Sequence, residues 1–502
     1  MEPATAVSSD AEPRICPCPH CGGLIEFPPE LAGAGVDCPH CGLPVNLVEP
    51  EPEPESEPEL ESATRDVDAR EAFREGVGGR EEGQGPTASD IAKAFRGVLP
   101  RASPTLAYRV ALLAVTLTML ILPLVYLAIV VGVGWGVWEF AMGWFQWARG
   151  FTGGIRLTGL VLMLYIMGLF VGGFMLLFLV KPLFARRRPE SPSLALNPAA
   201  EPLLFAFVHM IADAVGAPRP ARIDVDCRLN ASAGFRRGWI SLAGHDFVLS
   251  LGLPLIASFD ARQLAGVVAH ELAHFKQGWG LRASYLVRAI GRWLARVAYE
   301  RDSWDDAVAD YAESSGSGVG QILVGVARLG VWFSRGLLIL LFHAGHAVSC
   351  LLLRELERDA DRCQVAVGGS AAFEAALLHL PVLSEVARES YRQMRANWQL
   401  RRPLPDNLPR AIARAALAVD DAKRERWIQR ALAREPGLFD THPTDAVRLN
   451  LAREAAAPGL FDLDLPATAL FSNFGVLGHQ ATVLHYEDDL GLSRSEVTWD
   501  RG

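Results

Sequence analysis

The chain has 502 residues, 50% of them hydrophobic, with a mean hydropathy of +0.18 and a formal net charge of -9. That length allows several domains, the hydropathy points to membrane segments, and the acidic balance argues against a polyanion-binding role, so no nucleic-acid partner is expected. Of the eight cysteines, five lie in the first 41 residues; this is not a disulfide framework but fits a metal module in a reducing compartment.

Residues 14–48 make up that module. Cys18-Pro19-His20-Cys21 and Cys38-Pro39-His40-Cys41 are two CxxC knuckles, each followed by glycine, with sixteen residues between them. Four thiolates at this spacing suit tetrahedral zinc, and so small a module needs the metal to fold. The pattern resembles a zinc ribbon, with Cys18, Cys21, Cys38 and Cys41 holding one structural zinc. Cys16 is a spare thiol at a poorer knuckle spacing. Arg14 is the only lysine or arginine between Ala11 and Glu49, which favours a structural or protein-facing role. Residues 49–90 follow as an acidic Pro/Glu-rich linker that cannot build a core and is expected to be disordered.

A short amphipathic segment, Ile91 to Val98, leads towards the membrane. Residues 106–182 then read as a transmembrane hairpin with spans of about 111–138 and 157–180. Neither run holds an ionisable residue other than Tyr126 and Tyr165, and each exceeds the ~20 residues that a helix needs to cross a bilayer. A membrane helix tolerates Pro123. Trp135, Trp138, Trp144 and Trp147 form an aromatic belt at the far end. Basic residues crowd the outer flanks (Lys93, Arg96, Arg101, Arg109; Lys181, Arg186, Arg187, Arg188), which puts both flanks in the cytoplasm. The expectation is a multi-pass protein of the cell inner or plasma membrane, with the ribbon and the later domain cytoplasmic. No cleavable signal peptide is expected.

Residues 195–455 read as one mostly α domain with a small β region between Arg222 and Leu251, its pieces being 223–226, 238–242 and 246–251. Residues 456–502 are set apart as a C-terminal extension. Within the domain, Asp260 is a candidate N-cap with Gln263 at the capping-box position. The helix that follows carries His270-Glu271-Leu272-Ala273-His274. Imidazoles at i and i+4 share a face and can grip one zinc, and Glu271 is placed to take a proton from a zinc-activated water. A third ligand is sought in Leu353 to Arg362, where four carboxylates end an apolar run. Glu357 and Asp361 lie on one face; the residues alone leave Glu355 and Glu357 both open. His343 and His346 read as packed or hydrogen-bonded, and Cys350 and Cys363 as buried thiols.

These features together resemble the gluzincin peptidase family of HtpX and the CAAX prenyl endopeptidases. They coincide in order: a hairpin of spans, Asn230-Ala231-Ser232-Ala233, His270 to His274, Glu357 to Asp361 in an ExxAD pattern, then Thr441-His442-Pro443 with Arg448. The resemblance covers roughly residues 200 to 455 and implies a zincin-type catalytic domain. It implies His270, His274 and Glu357 as ligands of a catalytic zinc, Glu271 as base and Asp361 as support behind a ligand. It further implies Asn230, Ala231, Ser232 and Ala233 as a substrate-binding strand, with Arg448 also at the substrate. His442 either stabilises the oxyanion or only shapes a turn.

The fold class expected is therefore mostly α with a small β-sheet, two N-terminal transmembrane helices and a zinc ribbon. The function expected is a membrane-anchored zinc endopeptidase that cleaves membrane-associated or misfolded proteins at the cytoplasmic face. Its partners are protein or peptide substrates and the lipid bilayer; oligomeric state leaves no mark in the sequence. The alternative is a catalytically silent membrane adaptor that uses the ribbon for protein binding, against which the intact HExxH stands. One segment departs from the family pattern: Arg282, Arg288, Arg292 and Arg296 stud the stretch after the histidines. It is expected to lie on the membrane surface with Leu286, Ile290, Trp293, Leu294 and Val297 towards lipid, giving no crossing between the zinc ligands.

Overall fold

The computed structural model describes residues 14–17, 24–27, 34–37, 44–46, 86–99, 106–148, 155–184, 192–235, 247–276, 279–299, 318–435, 437, 440, 443–492 and 498–500. The chain divides into two units, Met1–Arg74 and Glu75–Gly502. The first holds two antiparallel hairpins, β1 (Arg14–Pro17) with β2 (Leu24–Phe27) and β3 (Gly35–Asp37) with β4 (Pro44–Asn46). Cys16 is in β1. Cys18, Cys21, Cys38 and Cys41, in the segments that join the strands of each hairpin, lie outside the described residues.

The second unit begins with α1 (Ala88–Ala94), whose first residues had been placed at the end of the linker. The Thr87 hydroxyl and the Asp90 side chain cap it reciprocally. Then come two long apolar helices, α2 (Leu106–Ala148) and α3 (Ile155–Val180). Leu113, Leu117, Ile121 and Leu124 of α2 and Leu160, Met163, Ile166 and Met167 of α3 are exposed, as lipid-facing side chains are.

The catalytic-domain sheet is small and mixed. Its order is β5 (Leu194–Ala195), β6 (Arg222–Asp226), β8 (Phe247–Gly252) and β7 (Ala231–Phe235). β6 and β8 are parallel, while β5 and β7 run antiparallel to their neighbours. β6 and β8 match two of the expected strand pieces; 238–242 lies outside the described residues, and among those described β7 is an outer strand. α4 (Pro202–Val215) covers the sheet with Leu204, Phe207, Val208 and Ile211, all fully buried with Ile223 and Leu249. Each such side chain contributes roughly 1.5–3 kcal/mol by leaving water.

After β8 come α5 (Leu253–Ser258), α6 (Ala261–Ala273), α7 (Trp279–Tyr299), α8 (Gly318–Gly368) and α9 (Ser370–Gln399). Then follow β9 (Leu404–Pro405), α10 (Leu408–Leu417), α11 (Asp421–Leu432), α12 (Asp445–Ala455), α13 (Phe474–Leu490) and β10 (Trp499–Asp500). Residues beyond 455, set apart in the sequence as an extension, place Phe461, Ala467, Leu470, Phe474 and Ala481 in the same core as the sheet.

The sequence foresees two helices able to cross a membrane. Among the described residues four have the length and composition, the others being Val324–Gly368 and Ser370–Gln399. The last is α9, whose apolar side (Phe373, Ala376, Leu383, Val386) is used up inside the domain. Its outer side carries Arg388, Glu389 and Arg392, so lipid has no apolar surface to meet.

Of the apolar face expected on α7, Ile290 and Leu294 are covered by protein, while Leu286, Trp293 and Val297 are partly buried. Val287, Ile290, Leu294 and Ala298 are buried against Met119, Leu122, Tyr126 and Val130 of α2 and Leu338 and Leu341 of α8. Amphipathicity shows that a face is covered; protein covers this one.

Candidate active site

The site is built where α6 meets α8. The Gln263 backbone N–H donates to the Asp260 carboxylate at 2.7 Å, and the Asp260 N–H donates to Gln263 Oε1 at 3.0 Å. This is the capping box foreseen in the sequence; such a cap contributes about 1 kcal/mol and fixes where the helix starts. With the start fixed, Leu264, Val268 and Leu272 fall into the core. His270 and His274, one turn apart, face α8, with ring centroids 5.0 Å apart.

On α8, Glu357, Asp361, Gln364 and Gly368 recur every three or four residues and share the face turned to α6. Glycines allow the approach. A Cβ on Gly368 would stand 2.7 Å from the Arg262 carbonyl oxygen and 3.2 Å from Gly266 Cα. Glu355 falls on another face, paired with Arg358 and about half exposed. The helix register thus brings Glu357, not Glu355, to the histidines.

His270 Nε2 is 3.3 Å from Glu357 Oε2, and His274 Nε2 is 3.6 Å from Glu357 Oε1. One ligand atom from each of the three lies within 4.8 Å of the others. A tetrahedral zinc about 2.0–2.1 Å from each ligand sets ligand atoms about 3.3–3.5 Å apart. The spacing fits, as does the donor set of two imidazoles and a carboxylate.

Behind this cluster, Asp361 Oδ1 is 3.2 Å from His270 Nδ1. Arg448, in the first turn of α12, clamps Asp361 with two parallel bonds, Nε to Oδ2 at 2.9 Å and Nη2 to Oδ1 at 2.7 Å. The resemblance implies Arg448 at the substrate; its guanidinium instead faces this buried carboxylate. Burial opposes charge on His270, yet hydrogen bonding to Asp361 and Glu357 and the charge of Glu271 carry its pKa up to about 9. In the metal-free chain a proton therefore stands where a cation fits.

Glu271 is held above its ordinary carboxylate range, first by burial and then by the charge of Glu357; His270, Arg288 and a hydrogen bond from the Ala233 backbone N–H oppose the rise. That bond puts the outer strand β7 against Glu271. Among the described residues, Ala231 to Phe235 pair on one side only, with Leu251 to Phe247. Asn230 stands just before the strand, its carbonyl accepting from the Gly252 N–H at 2.6 Å. His442 lies outside the described residues; Pro443 and Thr444 lead into α12.

Sequence reasoning missed Arg288. Its Nη2 lies 2.8 Å from His274 Nδ1 and 3.6 Å from Glu357 Oε1. It had been grouped with Arg292 and Arg296 as one basic face, and nothing in the sequence separates the first of that row from the rest.

No curated protein and no solved structure is detectably similar to this chain. The model of peptidase family M48 matches residues 198–456, just over half of the chain and including α6, the Glu357 to Asp361 part of α8 and Arg448. The match bears out the resemblance to the HtpX and CAAX peptidases; the cysteine module lies outside it. The chain belongs to peptidase family M48, whose members are zinc-dependent metallopeptidases.

Proposed function

We propose that this protein is a membrane-anchored zinc endopeptidase that hydrolyses membrane-associated or misfolded proteins at the cytoplasmic face. Family membership supports a metallopeptidase, and the apolar helices support a place in a membrane. The observation that carries the residue-level reading is the convergence of His270, His274 and Glu357 beside Glu271 and the edge of β7.

In this reading His270 Nε2, His274 Nε2 and the Glu357 carboxylate hold the catalytic zinc, which when bound supplies the Lewis acidity that polarises a carbonyl and activates water near neutral pH. Glu271 takes a proton from the attacking water on its carboxylate and later gives it to the leaving amine nitrogen. Asp361 accepts the proton-bearing Nδ1 of His270, which leaves the Nε2 lone pair facing the metal, and Arg448 keeps Asp361 in place. The substrate lies extended along Asn230 to Ala233 as an added strand, held by main-chain bonds whatever its side chains. His442 donates to the developing oxyanion. Cys18, Cys21, Cys38 and Cys41 hold a second, structural zinc in residues 14–48. The spans of about 111–138 and 157–180 anchor the chain with both flanks in the cytoplasm.

The test uses full-length protein in detergent and an unfolded protein substrate. Cleavage is expected to stop with a chelator and return with zinc. Glu271→Gln is expected to lower the rate by roughly 10²–10⁴-fold while keeping its zinc. Ser232→Pro is expected to raise KM with zinc retained. Cleavage that survives both the chelator and Glu271→Gln sinks the proposal.

A further inference from the structure

The two histidines of the proposed metal site meet unlike neighbours. His270 turns its Nδ1 to Asp361 Oδ1 at 3.2 Å, and an ionised carboxylate only accepts hydrogen bonds. His274 turns its Nδ1 to Arg288 Nη2 at 2.8 Å, and a guanidinium only donates them. The same Nη2 lies 3.6 Å from Glu357 Oε1. Arg288 thus stands beside two of the three residues that could hold a metal, and it comes from α7, a helix that supplies none of them.

To hold zinc, His274 gives the lone pair of Nε2 and carries its ring proton on Nδ1. A ligand histidine passes that N–H to a carboxylate, a carbonyl or water. Asp361 offers His270 such a group. Arg288 brings His274 the opposite, because a guanidinium has no lone pair and keeps its charge. A contact of 2.8 Å between Nη2 and a protonated Nδ1 sets two donors against each other. The contact and zinc binding therefore exclude one another at this ring. The ring keeps one proton in both arrangements; only its place changes, from Nε2 to Nδ1.

Charge acts in the same direction. Burial works against the charge of Arg288, and the nearby carboxylates of Glu357 and Glu271 favour it. Glu357 is itself buried, so its charge needs a cation beside it. Guanidinium and zinc both answer that need, and like charges close together weaken each other's hold. The Arg288 side chain is 24% exposed, which leaves it a way out. Its stem can carry the guanidinium outward while Val287, Ile290 and Leu294 keep α7 packed.

Resting on the reading of His270, His274 and Glu357 as zinc ligands, we propose that Arg288 is a built-in competitor of the catalytic zinc. It holds the outer nitrogen of His274 and balances the Glu357 carboxylate, and it turns outward when zinc binds. Arg288 thereby raises the zinc availability that the site demands, and α6, α7 and α8 can pack before the metal arrives. An arginine that only braced the ligands has the opposite effect on affinity, so the sign of the change decides between the two roles.

The experiment titrates full-length protein in detergent with zinc against a chromophoric chelator. The part of the binding that Glu357→Ala abolishes belongs to this site, which separates it from any zinc held by residues 14–48. Arg288→Met keeps a long apolar stem and removes the charge and the donors. It is expected to tighten zinc at this site roughly ten- to a hundredfold, the equivalent of one hydrogen bond to a charged group that zinc no longer displaces. Arg288→Lys is expected to stay nearer the original affinity, since a cation remains. Arg288→Met is also expected to lower the Tm of chelator-treated protein and to leave that of zinc-loaded protein nearly unchanged. Arg288→Gln carries the same expectations and answers the question if the methionine variant does not fold. Weaker or unchanged zinc binding in these two variants overturns the competition and makes Arg288 a brace. Zinc that binds the original protein but is indifferent to Glu357→Ala overturns the ligand assignment itself, and the role of Arg288 falls with it.

Discussion

Gly368→Ala tests whether the glycine contact between α6 and α8 sets the geometry of the metal centre. The added Cβ would stand 2.7 Å from the Arg262 carbonyl oxygen, where ordinary contact begins at 3.4 Å, so the helices must part by about 0.7 Å. Both facing atoms are backbone and cannot turn aside. Metal–ligand distances tolerate only about 0.2 Å, so a shift of this size misplaces Glu357 relative to His270 and His274. The expected cost is about 1–3 kcal/mol of stability and a loss of roughly 10–100-fold in zinc affinity, the scale seen when support behind metal ligands is disturbed. Gly325→Ala is the control, because nothing lies within 4 Å of its Cβ and the helix gains up to about 1 kcal/mol. Thermal unfolding and competitive zinc titration of both variants give the answer. A Gly368→Ala protein with unchanged Tm and zinc affinity refutes the claim that this contact sets the ligand spacing.

Glu357→Ala is expected to empty the catalytic zinc site and Glu355→Ala to leave it full, because Glu355 is committed to Arg358 on another face; the reverse result on metal analysis would show the third ligand is misassigned. Purified protein is expected to carry about two zinc ions per chain, and deleting residues 1–48 to remove one while sparing hydrolysis; two ions after that deletion would rule out the ribbon. In the metal-free protein His270 keeps its proton up to about pH 9. A raised folded-state pKa stabilises the fold fully below the ordinary value of about 6.5, and that contribution fades as pH climbs through about 9. Zinc displaces this proton, so at neutral pH its binding is expected to release close to one proton and to weaken about tenfold per unit fall in pH. Calorimetry in buffers of different ionisation enthalpy counts that proton, and finding none refutes the coupling of His270 to the site.

The catalytic helix was legible because its signals are local. A cap and its partner stand three residues apart, and two histidines stand four apart, so a helix is enough to bring each pair together. The choice between Glu355 and Glu357 was not legible, since it depends on how α8 is rotated against α6, and that rotation is set by glycines far along both helices. Arg448 carried a motif but not its role, because its partner Asp361 is 87 residues away. β7 has little β-propensity in Asn-Ala-Ser-Ala and stood out only through the family resemblance. For α7 the pattern gave a buried face without saying what buries it. Arg288 carried no signal, because a basic row on a helix is ordinarily solvated.

The N-terminal strap and the C-terminal part of the domain are sewn together. Phe95 bridges Phe461, the Arg96 N–H donates to the Leu460 carbonyl at 2.7 Å, and the Asp462 N–H donates to the Ala94 carbonyl at 3.0 Å. The same C-terminal segment holds the end of α8, with Leu460 N–H on the Ala366 carbonyl and Phe461 N–H on that of Val367, each at 2.9 Å. About three-quarters of the chain separates Phe95 from Phe461, so this closure spans a very long loop and comes late. During synthesis residues 88–99 leave the ribosome long before 458–462, and until those emerge they have α4 to pack on, with the Leu99 N–H on the Ala214 carbonyl at 3.1 Å, but not this partner. The helix that carries Glu357 has no fixed end until then. A nascent chain anchored as proposed thus reaches the bilayer before the proposed catalytic centre is locked, and a chain cut short of Pro458 is left without the clasp that fixes it.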